Sequence, residues 1–378
     1  MRRGKATREQ LKRHNRRLIL RSIYNGEADN RAALAQITGL AKPTVSDIVN
    51  DLLELGFIIE SGHGESTTSG GKRPRLLEFV PTARQIIGLS VKRHEVAAYL
   101  AYLDGRIVAQ HHVAGNDGEA LSTETIFYAI NGLLAQQDEP LLCISVGVPG
   151  IVDTEHGTVI SSRALGWSDM ALASILQARY QQPVHVNNNT ELAARAQRFT
   201  RKTNCNHVTL LVNRTVEIGF TLGGTVFHHG GDIGNLPLPT HPEHTVTTLT
   251  IEAVQEQIAA FCRQYPESEL NQLAPSYLSL RQAYRSGDEA AIRIVESLSE
   301  TLALLYAWII GLMRPDEIAL AGSICDIGDI LISLSKRKLG ELIPQRHVDT
   351  TQLTLAGEDN LAAWGAIAYA LEKELGVL

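Results

Sequence analysis

Three consecutive amides, Asn187, Asn188 and Asn189, follow a short strand-like run and precede a helical pattern. The β-branched residues before them predict a strand, and the stretch that continues to Arg195 predicts a helix. A strand that leads directly into a helix is typical of α/β folds, which bind ligands at the carboxyl ends of their strands. The sequence therefore predicts an α/β architecture with a ligand site near these three amides.

The length and composition of the chain favour several domains. At 378 residues it is too long for one small core, so about two or three domains are expected. The apolar content of 44% and the charged content of 20% are those of an ordinary globular protein. No apolar run approaches the ~18 residues of a membrane span, and the first residues lack the apolar core of a signal peptide. We therefore expect a cytoplasmic protein with no membrane partner. The four cysteines stand far apart, which favours isolated buried thiols.

The charge of the chain is distributed unevenly. Residues 1–80 hold 14 Lys and Arg against 9 Asp and Glu, whereas the whole chain carries a net charge of −6. A basic head on an acidic body predicts a polyanionic partner for the head. A solvated basic helix is the alternative interpretation, and charge alone leaves both open.

Residues 1–56 carry the pattern of three helices. Basic residues crowd the first 25 positions, with an apolar helical face at Leu11, Leu18, Ile19 and Ile23. Two further helical patterns between 31 and 56 join at Gly39, and their apolar faces are complementary, which predicts a helix-turn-helix. The residues expected to pack between these two helices are Leu34, Ile37, Leu40, Val45, Ile48, Val49 and Leu52.

The second helix of this motif has a polar face suited to a DNA groove, because its side chains can hold phosphates or contact base edges. Two strand patterns then flank a Gly/Ser/Thr-rich tip at 61–71, which completes a winged helix. Basic residues close the tip, where they would contact phosphates or a minor groove, and a basic linker is the alternative interpretation. We predict that residues 1–80 form a winged helix-turn-helix DNA-binding domain that contacts DNA through Lys42, Pro43, Thr44, Ser46, Asp47, Asn50, Lys72 and Arg73.

Several motifs resemble those of the ROK family of repressors and sugar kinases. They are the Gly-Gly-Lys-Arg-Pro run at 70–74, the Gly-Val-Pro-Gly turn at 147–150 and the three amides at 187–189. The resemblance covers nearly the whole chain. It implies that residues 81–378 form a two-lobed, actin-like (ribonuclease-H-like) α/β domain. The first lobe would span about 84–190 together with a closing C-terminal helix, and the second lobe about 191–360.

The resemblance also indicates which kinase elements have changed. Kinases of the family have a catalytic Asp at the third amide position, where this chain has Asn189. A neutral amide cannot take the proton of a sugar hydroxyl, and a positioned base contributes about a hundred- to ten-thousandfold in rate. The turn at 89–94 has neither the carboxylate nor the glycine of the family, and Glu217 in the loop at 213–219 would repel a triphosphate. We expect no phosphoryl transfer and no cofactor.

By the same resemblance, a sugar-like effector would contact Gly150, Asn188, Asn189, Asp232, Asn235 and Glu252. Amides and carboxylates together supply the donors and acceptors that sugar hydroxyls need. A capping or turn role is preferred for Asn187 and Thr190. The zinc loop of the family is missing, so no metal is expected. A different metal site is the less favoured interpretation of His228, His229, His241 and His244.

These features together predict a transcription regulator, most simply a repressor, that senses a small molecule in a sugar-kinase-like cleft. Its expected partners are double-stranded operator DNA, the effector, and further copies of the chain in a homodimer or a dimer of dimers. The alternative is a working sugar kinase with an added DNA-binding domain. Three altered catalytic elements weigh against the kinase, because phosphoryl transfer depends on positioned carboxylates, metal and phosphate-binding amides.

Overall fold

A computed structural model describes residues 8–63, 73–115, 121–201, 206–223, 225–238, 241–356 and 361–377. These residues fall into two compact units, Met1–Asn187 with Ala366–Leu378, and Asn188–Gly365. The helices are α1 (Arg8–Tyr24), α2 (Arg31–Thr38), α3 (Lys42–Glu54), α4 (Thr123–Leu134), α5 (Leu172–Tyr180), α6 (Asn189–Arg201), α7 (Ile251–Gln264), α8 (Tyr277–Ser286), α9 (Glu289–Met313), α10 (Asp329–Leu342), α11 (Gln345–Val348) and α12 (Leu361–Ala370). The strands are β1 (Ile58–His63), β2 (Arg75–Phe79), β3 (Gln85–Val91), β4 (Glu95–Tyr102), β5 (Ile107–Ala114), β6 (Leu141–Val148), β7 (Ile151–Asp153), β8 (Thr158–Ser162), β9 (Trp167–Met170), β10 (Val184–Asn188), β11 (His207–Val212), β12 (Val216–Leu222), β13 (Thr225–Asp232), β14 (Pro237–Leu238), β15 (His241–Thr245), β16 (Glu317–Ala321) and β17 (Gln352–Ala356).

The first unit begins with the predicted helix-turn-helix. The Asn30 side chain caps α2 by accepting hydrogen bonds from the N–H groups of Ala32 and Ala33, and Gly39 ends the helix in the left-handed conformation, with φ of 68°. Helix α3 buries Val45, Ile48, Val49 and Leu52, as predicted from their spacing.

One apolar residue, Ile37, was predicted to pack between the two helices and is instead 52% exposed. Leu11, predicted on the apolar face of the first helix, is also 52% exposed. Ile37 belongs to the last turn of α2, and Leu11 to the first turn of α1. Helical periodicity continues to the ends of a helix, whereas the opposing helices cover only its middle, so terminal apolar residues of a short helix remain in solvent.

The wing follows α3 as an antiparallel pair of strands. Strand β1 pairs with β2, from Ile58 opposite Phe79 to His63 opposite Arg75, with a register shift between Glu60 and Gly62. The predicted tip at 61–71 and its basic neighbour Lys72 lie mostly outside the described residues, which resume at Arg73. Arg73 is exposed immediately before β2.

A five-stranded sheet in the order β10-β6-β3-β4-β5 forms the body of the first unit. Strands β3, β4 and β5 form an antiparallel meander, while β6 lies parallel to β3. One face of the sheet packs on α4 and α5 through alternating residues such as Leu89, Val146 and Val186. The opposite face carries small residues such as Cys143 and Ser145, both fully buried. Burial raises the pKa of the Cys143 thiol, so this cysteine is an inert core residue.

The second unit has its own five-stranded sheet, in the order β13-β12-β11-β16-β17. Strands β11, β16 and β17 are parallel, and β12 and β13 extend the sheet in antiparallel fashion. Helices α7 to α10 cover one face with a core that includes Leu298, Leu302 and Leu305 of α9. Helix α6 lies close to α12, because the backbone of Leu192 in α6 occupies the space that a side chain at Gly365 would need.

Helix α9 is long and apolar enough to pass a test for a membrane span, but 61% of its apolar window is buried inside the protein. A buried core helix explains this composition. Its last turn is in solvent, where Leu312 is 86% exposed. It lies in the last turn before Arg314, which ends the helix in the left-handed conformation.

Candidate functional site

The exposed side of α3 is the candidate nucleic-acid surface. Lys42, Pro43, Asp47 and Asn50 are exposed, and Thr44 and Ser46 are half-buried. Pro43 lies in the first turn, where a missing N–H costs nothing, and Ala41 precedes the helix without a side-chain cap. The structure therefore places all six predicted α3 residues on or beside one accessible face.

Ion pairs hold this helix against its neighbours. Arg31 donates to the Asn50 side chain over 3.0 Å and pairs with Glu60 of β1. Arg75 also hydrogen-bonds Glu60, and mainly for this reason the pKa of that carboxyl lies below its usual value. Lys12 of α1 pairs with Asp51 of α3 over 2.8 Å. Several of the basic residues that gave the head its charge thus fix its internal geometry.

The three amides have three different environments. Asn188 accepts a hydrogen bond from the N–H of Thr190 over 2.7 Å, so its side chain caps α6. Asn189 begins that helix and is 6% exposed. Asn187 is fully buried in β10, and neither atom of its side-chain amide has a hydrogen-bond partner among the described residues. The predicted capping role for Asn187 is therefore wrong, because the cap is the next residue along the chain.

A buried carboxylate lies immediately beyond the amides. Glu217 of β12 accepts hydrogen bonds from the hydroxyls of Thr190 and Thr215, the latter over 2.9 Å. Only 7% of Glu217 is exposed. Its carboxylate joins the 213–217 segment to the first turn of α6, the helix that begins at Asn189. That Glu217 would repel a triphosphate stays a prediction.

The predicted effector residue Glu252 lies in the first turn of α7 and forms an ion pair with Arg214. The other carboxylate oxygen of Glu252 is buried without a hydrogen-bond partner in the described part of the chain. The Arg214 loop is anchored by Asn213, whose side chain accepts from the N–H of Ser323 over 2.9 Å. Arg214 was not predicted from the sequence, although Glu217 in the same loop was singled out there.

The remaining predicted effector residues lie on turns and strand ends. Gly150 follows β6 in the first unit with φ of 115°, and a Cβ there would overlap the carbonyl oxygen of Ser161. The backbone of Asp232 pairs with Glu217 at the end of β13, and Asn235 is exposed in the turn that follows. The five residues other than Gly150 belong to the second unit.

The turn at the end of β3 is basic. Lys92 pairs with Glu95 at the start of β4, and the neighbouring side chain is Arg93. Among the described residues, no three or more His, Cys, Asp or Glu side chains lie together so that they could hold a metal ion. The side chains of His228, His229, His241 and His244, which carry the alternative metal interpretation, lie outside what the structure describes.

Residues 86–373 match the ROK family, over more than half of the chain. The chain belongs to the ROK family. It is 23% identical over 366 residues to the xylose repressor of Caldicellulosiruptor bescii, covering 89% of this chain and 88% of that protein. It is 24% identical over 345 residues to the DNA-binding transcriptional dual regulator NagC of Escherichia coli strain K12, covering 85% and 83% of the two chains.

Solved structures confirm the two-lobed actin-like ROK fold. The structure of a ROK family transcriptional regulator, a homologue of the Escherichia coli MLC protein, superposes with a TM-score of 0.82 at 20% identity, covering 97% of this chain and 98% of the other. A ROK family glucokinase from Streptomyces griseus, solved with glucose and AMPPNP, gives a TM-score of 0.62 at 18% identity and covers 75% of this chain. The larger coverage by the regulator includes the N-terminal helices.

Proposed function

We propose that this ROK protein is a DNA-binding transcription regulator, a repressor, whose head at residues 1–80 binds operator DNA. The observation that carries the proposal is the accessible polar face of α3, opposite a buried apolar face and followed by the two strands of a wing. This is the arrangement in which a recognition helix enters a major groove while the wing contacts the backbone. The ROK family transcriptional regulator of known structure covers 97% of this chain, which includes most of the head.

The body of the protein serves as a sensor in this proposal. Asn189 has no group that accepts a sugar proton at neutral pH, and the turn after β3 presents Lys92 and Arg93 where a kinase needs a carboxylate for its metal. Without a base and a metal ligand the site binds and does not transform. A kinase remains the competing function, because solved ROK kinases share the fold of the body.

The proposed effector is a neutral sugar or aminosugar, held by Asn188, Asn189, Asp232, Asn235 and Glu252 of the second unit and Gly150 of the first. Relatives are named for xylose and for N-acetylglucosamine, and both sugars present hydroxyls that need mixed donors and acceptors. The regulator would act in the cytoplasm as a homodimer or a dimer of dimers, because paired heads match paired half-sites. The effector regulates by binding one conformation better than the other.

The proposal is tested by fluorescence anisotropy on DNA from the intergenic region upstream of the gene. The full-length protein should bind it, and D-xylose or N-acetylglucosamine should change the affinity. Lys42→Ala, Asn50→Ala and Arg73→Ala should each weaken binding, by about 1–3 kcal/mol where a base contact is lost. The matched control is Lys336→Ala, a basic residue of α10 that should leave affinity unchanged. Unaltered affinity in all three head variants would exclude this face.

The same preparation decides between sensor and kinase. A coupled assay for ADP release should show no turnover with glucose, xylose or N-acetylglucosamine beyond the rate without protein. Turnover that is abolished by Asn189→Ala would establish the kinase and remove the sensor from consideration.

A further inference from the structure

The C-terminal segment, defined here as residues 371–377, lies in the first unit between the head and the sheet. Leu371, Leu375 and Val377 are buried. The guanidinium of Arg17, on α1 of the head, donates to the carbonyl oxygen of Lys373. From the other side, Nε2 of His185 on β10 lies 2.7 Å from a carboxylate oxygen of Glu374. One short stretch of chain therefore contacts both the head and the sheet.

The segment approaches α1 without spare room. Gly376 has φ of 70°, and an added Cβ would lie 2.7 Å from Cγ of Arg17. The segment is a π-helical turn, Leu371–Leu375, which continues α12 with one extra residue per turn. Such turns are rare and occur frequently at functional sites. The irregular turn presents Glu374 to β10 while Lys373 presents its carbonyl oxygen to α1.

Glu374 is the charged centre of this junction. Its side chain is 23% exposed and that of His185 is 17% exposed, so the pair is shielded from water. The hydrogen bond with His185 lowers the pKa of Glu374, and the charges of Arg13 and Arg17 lower it further. Arg16 and Glu372 add charge near Arg17. The carboxylate is therefore ionised at neutral pH and is held between an imidazole of the sheet and guanidinium groups of the head.

His185 lies on the strand that ends at the amides. Strand β10 continues from Val184 to Asn188, and α6 begins at the next residue. Successive side chains of a strand alternate between its faces, so His185 and Asn187 share a face, opposite the Val186 face that packs into the core. His185 and the amide edge, defined here as Asn187 and Asn188, belong to one continuous strand, so His185 can share a displacement of that strand.

The head is incompletely packed beside this contact. A cavity of about 260 Å³ is bounded by Leu20 of α1, Leu52 of α3, Leu142 of β6 and Leu375 of the segment. The charged residues Arg16, Arg84 and Glu374 also line this cavity, so side chains around it have room to rearrange. The head also contacts the body through a residue outside the C-terminal segment. Arg84 donates to the carbonyl oxygen of Leu55 over 3.2 Å and lies over the Phe57 ring.

We propose that His185 and Glu374 are positioning residues that transmit the state of the amide edge to helix α1 through the C-terminal segment. This inference rests on the proposed function, in which the amides contact an effector and the head binds DNA. Effector binding that displaces β10 would alter the His185–Glu374 hydrogen bond, and through Lys373 and Arg17 would alter how α1 is held. Neither residue touches DNA or effector in this scheme.

The test is a double-mutant cycle on the full-length chain that needs no identified effector. Asn188→Ala perturbs the amide edge, and amide hydrogen exchange of α1 is measured by mass spectrometry. Asn188→Ala should change exchange in α1 at least threefold in the wild-type background, and this change should disappear in Glu374→Gln. It should persist in Arg84→Ala, the control for a contact between the head and the body that does not involve Glu374. An equal change in all three backgrounds would overturn the proposal.

Conservative replacement separates positioning from a merely structural role. His185→Gln keeps a side-chain donor for Glu374 and should retain the coupling, whereas His185→Leu should lose it at a similar melting temperature. If both replacements behave alike, the imidazole hydrogen bond has no part in transmission and the proposal fails.

Operator binding is then measured on the same proteins, with and without D-xylose or N-acetylglucosamine. If Asn188→Ala changes hydrogen exchange in α1 through Glu374 but the protein does not bind DNA, transmission through His185 and Glu374 is supported and the proposed regulator is rejected. DNA binding with a sugar response that survives unchanged in both Glu374→Gln and His185→Leu would uphold the regulator and reject the relay.

Discussion

At the scale of single residues, two positions restrict which residue types the fold can accept. One is restricted by its backbone conformation and the other by a buried charge. Gly150 has both a positive φ and a neighbouring carbonyl oxygen where a Cβ would lie. Glu217 has two hydroxyl donors in place of solvent. Both positions were singled out from the sequence, but their physical reasons are visible only in the folded chain.

Gly150→Ala should be strongly destabilising. The left-handed backbone costs an alanine about 1–2 kcal/mol, and the overlap with Ser161 adds to it, so we expect a loss of about 2–4 kcal/mol in the free energy of unfolding. Gly166→Ala is the matched control, because Gly166 has φ of 66° but no atom within 4 Å of an added Cβ. Urea unfolding followed by circular dichroism should therefore show the larger loss for Gly150→Ala, and equal losses would contradict the steric account.

Glu60 should give the head a dependence on acid pH. Its pKa is lowered by Arg75, so its contribution to stability is present above the ordinary carboxyl pKa of 4.5 and is lost as pH falls through the lowered value. Wild type should be more stable than Glu60→Gln at neutral pH, and the difference in melting temperature should shrink as the pH is lowered below 4.5 and the carboxylate is protonated. A difference that stays constant over this range would mean that the Arg75 contact contributes nothing.

At the scale of secondary-structure elements, the N-termini of α2 and α3 differ in side-chain capping. Helix α2 has a side-chain cap at Asn30, whereas α3 begins after Ala41, whose extended backbone matches that of a capping residue. The missing cap leaves amide groups of the first turn without a side-chain acceptor. Helix α3 is therefore less well fixed at the end that carries Lys42 and Thr44.

Ala41→Ser should stabilise α3 by about 0.5–1 kcal/mol, because the serine hydroxyl can accept a hydrogen bond from the first turn. Hydrogen exchange of α3 in the full-length protein should slow accordingly. Ala32→Ser, in an exposed position inside α2, is the control and should be neutral or slightly destabilising. If exchange in α3 is unaffected by Ala41→Ser, the backbone at this position does not act as a cap.

At the scale of the whole molecule, a basic head is followed by an acidic body that belongs to the ROK family. We expect the head and the body to bind their ligands through different kinds of interaction. DNA binding should be governed by charge and salt, and the binding of a neutral effector by hydrogen bonds.

The affinity for operator DNA should fall linearly with the logarithm of salt concentration. Each lost phosphate contact reduces the slope by about 1, so Lys42→Ala should give a shallower slope than wild type if Lys42 contacts a phosphate. Anisotropy titrations at several salt concentrations measure this directly. An identical slope in the variant would reassign Lys42 to a role other than phosphate binding, and the affinity for D-xylose or N-acetylglucosamine should not change with salt in either protein.

The sequence by itself determined the order and type of the elements. The helix-turn-helix, the wing strands and the strand that leads into α6 were all predicted, because hydrophobic periodicity and turn residues are local properties of the chain. Family membership was also predicted from short motifs and is confirmed. The predicted effector and DNA contacts remain predictions.

Tertiary structure alone decided which side chains meet. The exposure of Ile37 and Leu312 depends on where a neighbouring element ends, and no period in the sequence records that position. The direction of Glu217 and the contact between His185 and Glu374, 189 positions apart, follow from packing of distant segments. Local patterns specify which face of an element is buried, whereas the partner of each polar group is set only when the elements come together.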